Sequence, residues 1–447
     1  DILLNELNIA DSAVIGQIGE YAFKGCISIK EYTVHASTTA IGSYAFRKCA
    51  AMTSVVFGSA LTAIGESSFY GCTGLTELVI PDQVAVIEPY AFKTCTGLTS
   101  VALGSSVSSI GEGAFNTCTG LKTIVFPASV EAIGNYAFYG CEKLSQLRID
   151  ATALQDLPYT NYAFYYAGKK STNLTVTFGS EVTRVPAYLF YPDNYESTAT
   201  RVYVTNIIFE DGSVCQSIGD YAFSGCKNII NVNIPDNVKS IGRYAFNDCT
   251  SLLTIKLSNG VTSIGEYAFR NCAALQELSI PQSIVNIFDY AFVGCNALSD
   301  IIIQDRTTEL ILGSNGTSAL FNSCPLDSVY IGGKITYNAS SSKGYSPFYK
   351  NITLRTVSIA NKEDKIYNNQ FYGCTSLTNV AIGDGVTSIG DNAFFGCSSL
   401  TAFKFGSSMK TIGAYAFADC ANMKEIISSA VTPPLCGTLA LDDINKW

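Results

Sequence analysis

The residues best suited to chemistry in this 447-residue chain are its sixteen cysteines. Thiolates act as nucleophiles, bind metals and form disulfides. Regular columns of cysteine are expected to point into a core, where the residue behaves as a small hydrophobe. Neighbouring side chains would run parallel, which is poor disulfide geometry, so we predict a structural ladder of free, buried thiols. Fourteen cysteines hold one position, mostly 23 residues apart: Cys26, Cys49, Cys72, Cys95, Cys118, Cys141, Cys226, Cys249, Cys272, Cys295, Cys324, Cys374, Cys397 and Cys420.

Other catalytic groups are sparse. His35 is the only histidine, so a Ser-His-Asp or Cys-His mechanism has one base to draw on. We interpret two carboxylate pairs, Asp305 with Glu309 and Glu363 with Asp364, as surface charge. The sequence contains no C-x-x-C pair, phosphate-binding loop or G-x-S-x-G motif. It therefore predicts no enzyme, no cofactor and no metal site.

Tyrosine is the residue type that indicates recognition. Its ring offers a large apolar area and its hydroxyl a hydrogen bond, a combination favoured at binding surfaces. Two stretches of irregular spacing, 142–217 and 300–365, carry tyrosines beyond those of a recurring Y-A-F motif. The alternative that these stretches are inert loops stays open. We predict a binding surface formed by Tyr165, Tyr166, Tyr191, Tyr195, Tyr345 and Tyr349.

All these positions belong to one repeated unit, typified by Leu252 to Ala274, LLTIKLSNGVTSIGEYAFRNCAA. Fixed-period repetition indicates a solenoid, in which each turn buries its apolar face on its neighbours. Insertions in a solenoid form loops on one side, often the binding side. A phenylalanine marks each of 17 copies: Phe23, Phe46, Phe69, Phe92, Phe115, Phe138, Phe164, Phe190, Phe223, Phe246, Phe269, Phe292, Phe321, Phe348, Phe371, Phe394 and Phe417.

Each copy contains three short segments. L-x-x-L-x-I alternates and is β-branched, which predicts a strand, and V-x-x-I predicts a second extended piece. The glycine that follows suits a bend that a Cβ would hinder. A-F-x-x-C has helical or 3₁₀ spacing, with Phe and Cys on one face. We therefore predict an α/β repeat solenoid with short strands and 3₁₀ or one-turn helices.

The repeat also predicts the domain organisation. The strongly repetitive part reads as one elongated domain, and its ends depart from the pattern. Two consecutive prolines near the C-terminus are expected to stop regular strand pairing. We predict an N-terminal cap at 1–17, a single solenoid at 18–427 with irregular repeats at 142–217 and 300–365, and a C-terminal cap or the start of a following segment at 428–447.

Composition argues against nucleic-acid binding and against a membrane-spanning helix. The net charge is −9 and the pI about 4.8, without the basic face that nucleic-acid binding requires. No apolar run approaches the 18 residues of a membrane-spanning helix. We expect a monomer that is exported to the cell surface or medium, its leader being absent from this chain.

The stretch Ile234 to Leu252, IPDNVKSIGRYAFNDCTSL, resembles the BspA-like class of leucine-rich repeats, and the match covers roughly Ile18 to Met423. The resemblance implies a right-handed leucine-rich-repeat solenoid of about 17 turns. It also implies an exported, surface-associated protein of host-dwelling microbes, since some members are adhesins for extracellular-matrix proteins or cells. We expect a non-catalytic binding protein with a protein partner. A glycan-binding surface protein and a structural spacer presenting another domain stay open as alternatives.

Overall fold

The alternating segments of each repeat form short parallel strands, as the sequence predicts. The chain divides into two units, Asp1–Ile229 (unit 1) and Ile230–Trp447 (unit 2), and each is a parallel-strand solenoid in its described residues. Each turn supplies a leucine strand from L-x-x-L-x-I and an isoleucine strand from V-x-x-I. The structure, a computed structural model, describes residues 15–192, 202–313, 320–321, 323–337 and 346–441.

The two kinds of strand alternate along the chain. In unit 1 the described strands are β1 Gln17–Ile18, β2 Glu31–Thr33, β3 Ala40–Ile41, β4 Ser54–Val56, β5 Ala63–Ile64, β6 Glu77–Val79, β7 Val86–Ile87, β8 Ser100–Ala102, β9 Ser109–Ile110, β10 Thr123–Phe126, β11 Ala132–Ile133, β12 Gln146–Ile149, β13 Leu174–Phe178, β14 Arg184–Val185, β15 Val204–Phe209 and β16 Ser217–Ile218. In unit 2 they are β17 Asn231–Asn233, β18 Ser240–Ile241, β19 Thr254–Lys256, β20 Ser263–Ile264, β21 Glu277–Ile280, β22 Asn286–Ile287, β23 Asp300–Ile303, β24 Leu310–Leu312, β25 Ser328–Ile331, β26 Ile335–Thr336, β27 Thr356–Ile359, β28 Lys365–Ile366, β29 Asn379–Ile382, β30 Ser388–Ile389, β31 Ala402–Phe405, β32 Thr411–Ile412, β33 Glu425–Ser428 and β34 Leu435–Cys436.

Strand pairing in the regular turns keeps a register of one whole repeat. Ile18 of β1 pairs with Ile41 of β3, and Leu78 of β6 pairs with Val101 of β8. Neighbouring strands lie about 4.8 Å apart, so equivalent side chains form columns. The inward columns build the core, and the alternate residues of the leucine strands face outward.

A column of phenylalanine rings runs through this core. Phe46, Phe69 and Phe92 are fully buried. The rings of Phe46 and Phe69 stack at 5.1 Å between centroids, and those of Phe69 and Phe92 at 5.3 Å. Such aromatic pairs add about 0.5–1.5 kcal/mol beyond burial alone, so the column links successive turns.

The Y-A-F-x-x-C segment is not helical, and the prediction of 3₁₀ or one-turn helices is wrong: the described residues contain no helix. Tyr21 and Gly25 both have positive φ, 57° and 76°. The amides of Ala22 and Cys26 donate to carbonyls three residues back, the pattern of type II turns, whose third residue has positive φ. Two left-handed residues so close together break any helical run. We call this stretch the corner segment.

Alternate amides of the corner segment bond to the next turn, while the amides between them close the turns within the segment. The amide of Phe23 donates to the carbonyl of Ala45 at 2.7 Å, and the amide of Gly25 donates to the carbonyl of Arg47 at 2.8 Å. A helix would use such amides internally. Here they form a third ladder between turns, beside the two strand ladders.

The repeated pattern continues into the segment expected to form a C-terminal cap or a following segment. β33 pairs with β31, and β34 pairs with β32. Leu439 takes a left-handed corner position with φ 52°, and the amide of Phe417 donates to Ala440 O at 3.0 Å. Residues 425–441 therefore repeat strand, strand and corner once more.

One interior column contains an acid in place of an aliphatic residue. Glu363 lies one repeat before Val386 in register and is 1% exposed, so its interpretation as surface charge is wrong. Its carboxylate accepts hydrogen bonds from the amides of Ile335, Asp364 and Lys365 at 3.0, 3.1 and 3.4 Å. Burial raises the pKa of Glu363 to about 7, against the opposing effect of these bonds.

Candidate functional site

The tyrosines predicted to bind lie on corner segments. Tyr165, Tyr191 and Tyr349 each follow directly a buried phenylalanine of the core column, and all three are half-buried. Because the phenylalanine points inward, the next side chain lies at the surface. Tyr166 is also half-buried and has a left-handed backbone, φ 60°. The remaining predicted residues lie outside the described part of the chain: Tyr195 and Tyr345.

The structure brings Tyr165 and Tyr166 together with three further half-buried tyrosines. The rings of Tyr165 and Tyr166 meet edge to face, with centroids 4.6 Å apart. Tyr139, one turn earlier, stacks on Tyr165 at 5.8 Å with an interplanar angle of 6°. Tyr136 and Tyr162 have their ring centroids 5.4 Å apart, and Tyr162 meets Tyr165 at 5.8 Å. We call these five residues the tyrosine cluster.

Tyr191 packs with two other tyrosines of unit 1. Its ring centroid lies 5.5 Å from that of Tyr188 and 5.2 Å from that of Tyr221. Tyr188 and Tyr221 stack at 5.0 Å. Both partners are tyrosines of the recurring Y-A-F position, so Tyr191 extends a structural column toward the surface.

Tyr349 begins a stacked aromatic row in unit 2. Tyr372 stacks on it at 5.0 Å and Phe395 on Tyr372 at 4.8 Å, while Lys350 Nζ lies 5.3 Å from the Tyr349 ring centroid. Sequence reasoning missed Tyr372 and Phe395 because they lie in regular repeats. The signal that identifies them is their place directly after the core phenylalanine.

Charged side chains border the tyrosine cluster. Lys169 Nζ lies 5.0 Å from the centroid of Tyr166, and Lys170 pairs with Glu142 at 2.5 Å. Burial, with Tyr166 and Glu142 nearby, raises the pKa of Tyr203. An aromatic centre with a polar, charged border is the anatomy of a protein–protein contact.

The chemistry available to the cluster is non-covalent. Where two rings stack, as Tyr139 and Tyr165 do, each covers a face of the other. Aromatic edges carry partial positive charge that attracts oxygen atoms.

The cysteine column is packed in the core. All sixteen cysteines lie in the described part of the chain with free thiols, fifteen buried and Cys436 exposed. The thiol of Cys49 lies 3.1 Å from the Phe23 carbonyl oxygen of the preceding turn, and Cys272 repeats the contact with Phe246 at 3.3 Å. Burial raises the pKa of Cys49 to about 12, which leaves the thiol protonated and unreactive.

Asn351 shows what that column requires. It occupies the cysteine position three residues after Phe348 and is 2% exposed. Its Nδ2 donates to the carbonyls of Phe321 and Cys324 at 3.2 and 2.8 Å. The bond to Phe321 replaces the S–H···O contact of the other turns. In this turn too, the position is filled by a small buried donor.

The described residues contain no group of three or more His, Cys, Asp and Glu side chains placed to hold a metal ion. No helix in that part of the chain is long and apolar enough to cross a membrane. His35 is half-buried, and its Nδ1 lies 2.7 Å from Ser37 Oγ.

A row of exposed aliphatic residues lies on the leucine strands of unit 1. Val56 on β4, Val79 on β6 and Val125 on β10 are 58%, 67% and 43% exposed. Ala102 on β8 pairs with Val79 and continues the row. Sequence reasoning missed this surface, although the outward residue of L-x-I is aliphatic in four successive turns. Contiguous exposed apolar residues mark interaction surfaces.

The repeat identifies the family. Residues 3–103, 62–197, 216–342 and 341–432 match the family model described as BspA type Leucine rich repeat region (6 copies). A search of curated proteins gave no match. The match to the family model covers most of the chain, and it concerns the repeat itself.

Several solved structures are similar to the chain. A leucine-rich repeat protein from Bacteroides ovatus ATCC 8483 is 24% identical over 86% of this chain and 80% of its own, with a TM-score of 0.42. A leucine rich cell surface protein from Faecalibacterium prausnitzii A2-165 is 23% identical, with coverages of 82% and 76% and a TM-score of 0.30. The pneumococcal vaccine antigen PcpA is 17% identical, with coverages of 79% and 79% and a TM-score of 0.33. The family assignment rests on the repeat match alone: this chain belongs to the BspA-type leucine-rich repeat family.

Proposed function

We propose that this chain is an exported, non-catalytic binding protein of the cell surface. In this role it acts as an adhesin or protein-interaction module for a host extracellular-matrix or cell-surface protein. Membership of the BspA-type family supports the proposal, because stacked repeats present extended surfaces for large partners.

The tyrosine cluster is the observation that carries the proposal. Tyr139, Tyr165 and Tyr166 are half-buried and hold one another in place by ring contacts. Side chains ordered before binding lose little conformational entropy when a partner docks. Tyrosine is also among the residues that dominate binding energy at protein contacts. The cluster therefore has the composition and order of an interaction hot spot.

Charge favours one kind of partner. The chain carries a net charge of −9, so a protein with a basic docking surface is attracted and acidic partners are repelled. Binding should then weaken as salt is added, since exposed charges are screened beyond about 8 Å at physiological ionic strength.

The test is binding of the purified chain to a panel of immobilised matrix proteins, including fibronectin and fibrinogen, with a glycan array alongside. We expect saturable binding to at least one protein, weakened at higher salt. Binding to no protein in the panel would contradict the adhesin proposal. Binding to glycans alone would replace it by the glycan-binding alternative.

A further inference from the structure

An open groove lies beside the isoleucine strands of unit 2. It has a volume of about 490 Å³ and is lined by β28, β30, β32 and the residues that follow them. Tyr367 forms one wall, and Tyr337 packs against it with ring centroids 5.5 Å apart. We call it the Tyr367 groove. It shares no residue with the tyrosine cluster of unit 1.

The groove exists because a tyrosine is followed by two stacked glycines. Ile366, Ile389 and Ile412 pair in register, so Tyr367 precedes Gly390 and Gly413 in one column. A Cβ on Gly390 would lie 2.6 Å from the backbone nitrogen of Asn368 and 2.7 Å from the carbonyl carbon of Tyr367, so the two turns approach too closely for a side chain there. The result is a trench with a backbone floor and an aromatic end wall.

Polar side chains with fixed orientation flank this trench. Asn368 Oδ1 accepts the amide of Asp391 at 2.9 Å, and Asp391 Oδ1 accepts the amide of Ala414 at 2.7 Å. Each bond uses one end of its side chain and leaves Asn368 Nδ2 and Asp391 Oδ2 as the outer donor and acceptor. Ser388 and Thr411 add hydroxyl groups on the opposite side. A donor, an acceptor and two hydroxyls match the alternating donors and acceptors of a polyol.

The aromatic wall has a face that a ligand can reach. Lys365 is exposed, and its Nζ lies 4.4 Å from the centroid of Tyr367. The lysine stem is flexible, so the ammonium group can leave the ring and expose that face. Displacing it would let the C–H face of a sugar pack on Tyr367 and free the ammonium to bond a hydroxyl.

Charge narrows the class of ligand. The trench is bordered by one cation, Lys365, and one anion, Asp391. Glu309, Glu363 and Asp364 also lie near Tyr367, so the surroundings repel a phosphate or sulfate, while a cationic ligand would meet the ammonium of Lys365. We propose that the Tyr367 groove is a binding subsite for a neutral carbohydrate, with Tyr367 as the stacking wall and Asn368 and Asp391 as the hydroxyl-binding pair.

The experiment uses the whole chain and an array of neutral oligosaccharides, followed by titration calorimetry with the best-bound oligosaccharide. Tyr367→Gly places in this turn the residue that the next two turns have, which protects the fold. It should weaken binding about tenfold, the worth of one aromatic contact. Phe288→Gly is the matched control, because Phe288 also follows an isoleucine strand, is 41% exposed and lies outside the groove; it should leave affinity unchanged.

Asp391→Asn is a second variant that keeps the acceptor for the Ala414 amide. It exchanges a charged acceptor for a neutral one and should weaken binding about fivefold. An array with no neutral ligand, or equal losses in Tyr367→Gly and Phe288→Gly, would overturn the proposal. Preferential binding of sulfated or sialylated glycans would also overturn it. The protein-binding test concerns other residues, so the two proposals can fail separately.

Discussion

Buried polar side chains hold the solenoid where the aliphatic pattern is interrupted. Arg306 is 1% exposed and donates from its guanidinium to the carbonyls of Thr308 and Gln282 at 2.8 and 3.2 Å. Burial lowers its pKa. Asn351 and Glu363 likewise bond backbone groups. Each of these bonds matters because an unpaired buried polar atom is destabilising by about 1–3 kcal/mol.

Glu363 makes stability depend on pH. Its folded pKa of about 7 lies above the ordinary value of 4.5, so the protonated form is favoured in the folded state. The stabilisation is complete below about pH 4.5 and is lost as the pH rises through 7, a change of about 3 kcal/mol. Glu363→Gln cannot titrate and should lack this component. Urea unfolding at pH 4.5 and pH 8 measures it in both proteins, and an identical pH dependence in the two would disprove it.

Asn351 should be sensitive to loss of its side-chain donor. Asn351→Ala leaves the carbonyls of Phe321 and Cys324 without their side-chain partner and should lower the free energy of unfolding by about 2–3 kcal/mol. Asn351→Cys restores the residue of the other turns and its bond to Phe321, so it should lose about 1 kcal/mol less. Urea unfolding of the three proteins gives the order. Equal stability of the two variants would show that the donor has no role.

At the scale of elements, the corner segment decides which residues can present a binding surface. Tyr267 has φ 56° and stacks between Tyr244 and Tyr290 at 4.7 and 5.0 Å. The ring contacts oppose the strain of a left-handed backbone. In each corner segment the residue directly after the core phenylalanine lies at the surface, as Tyr165 and Tyr349 do.

The corner geometry predicts an unusual order of substitutions. Tyr267→Gly and Tyr267→Ala both lose the ring, but glycine tolerates positive φ, whereas alanine is strained there by about 1 kcal/mol. The glycine variant should therefore be the more stable by about that amount. A helical corner would reverse the order, since alanine is the better helix former by about 1 kcal/mol. Thermal unfolding of the two variants distinguishes these cases.

The strands were predictable because the alternation of apolar and polar residues and the 23-residue period can both be read from the amino-acid sequence. The corner was not, because Phe and Cys three residues apart fit a helix as well as two consecutive turns. Gly113 and Asn369 occupy the tyrosine position with φ 56° and 57° and were the available signal for a left-handed backbone. Glu363 was misjudged because charge was given more weight than its place in a valine column.

The candidate site was predictable in part. Tyr165 and Tyr166 were identified from composition, and the structure places both in one cluster with Tyr139. Tyr372 was missed because a regular repeat looked purely structural. Ring contacts between turns depend on register and backbone direction, which composition does not report. The Tyr367 groove was also missed, since it results from glycines that follow a tyrosine one and two turns later.

At the scale of the whole molecule, the repeat places equivalent residues of successive turns side by side. A change of residue type at one outward position in several turns therefore creates a distinct surface. In unit 1 this produces the tyrosine cluster and the row of Val56, Val79 and Val125. In unit 2 it produces the aromatic row that begins at Tyr349. The core columns are nearly uniform, whereas these outward positions vary from turn to turn. Recognition can therefore change without altering the fold.

The most direct test of the tyrosine cluster as the binding surface compares the affinities of two matched variants for the matrix protein that binds best. Tyr165→Ala and Tyr70→Ala each remove a tyrosine directly after a core phenylalanine of unit 1, inside and outside the cluster respectively. Tyr165→Ala should lose about 2 kcal/mol of binding energy, or about thirtyfold in Kd, and Tyr70→Ala should bind as the unmodified chain does. Equal affinity of the two variants would contradict the claim that the tyrosine cluster is the binding surface.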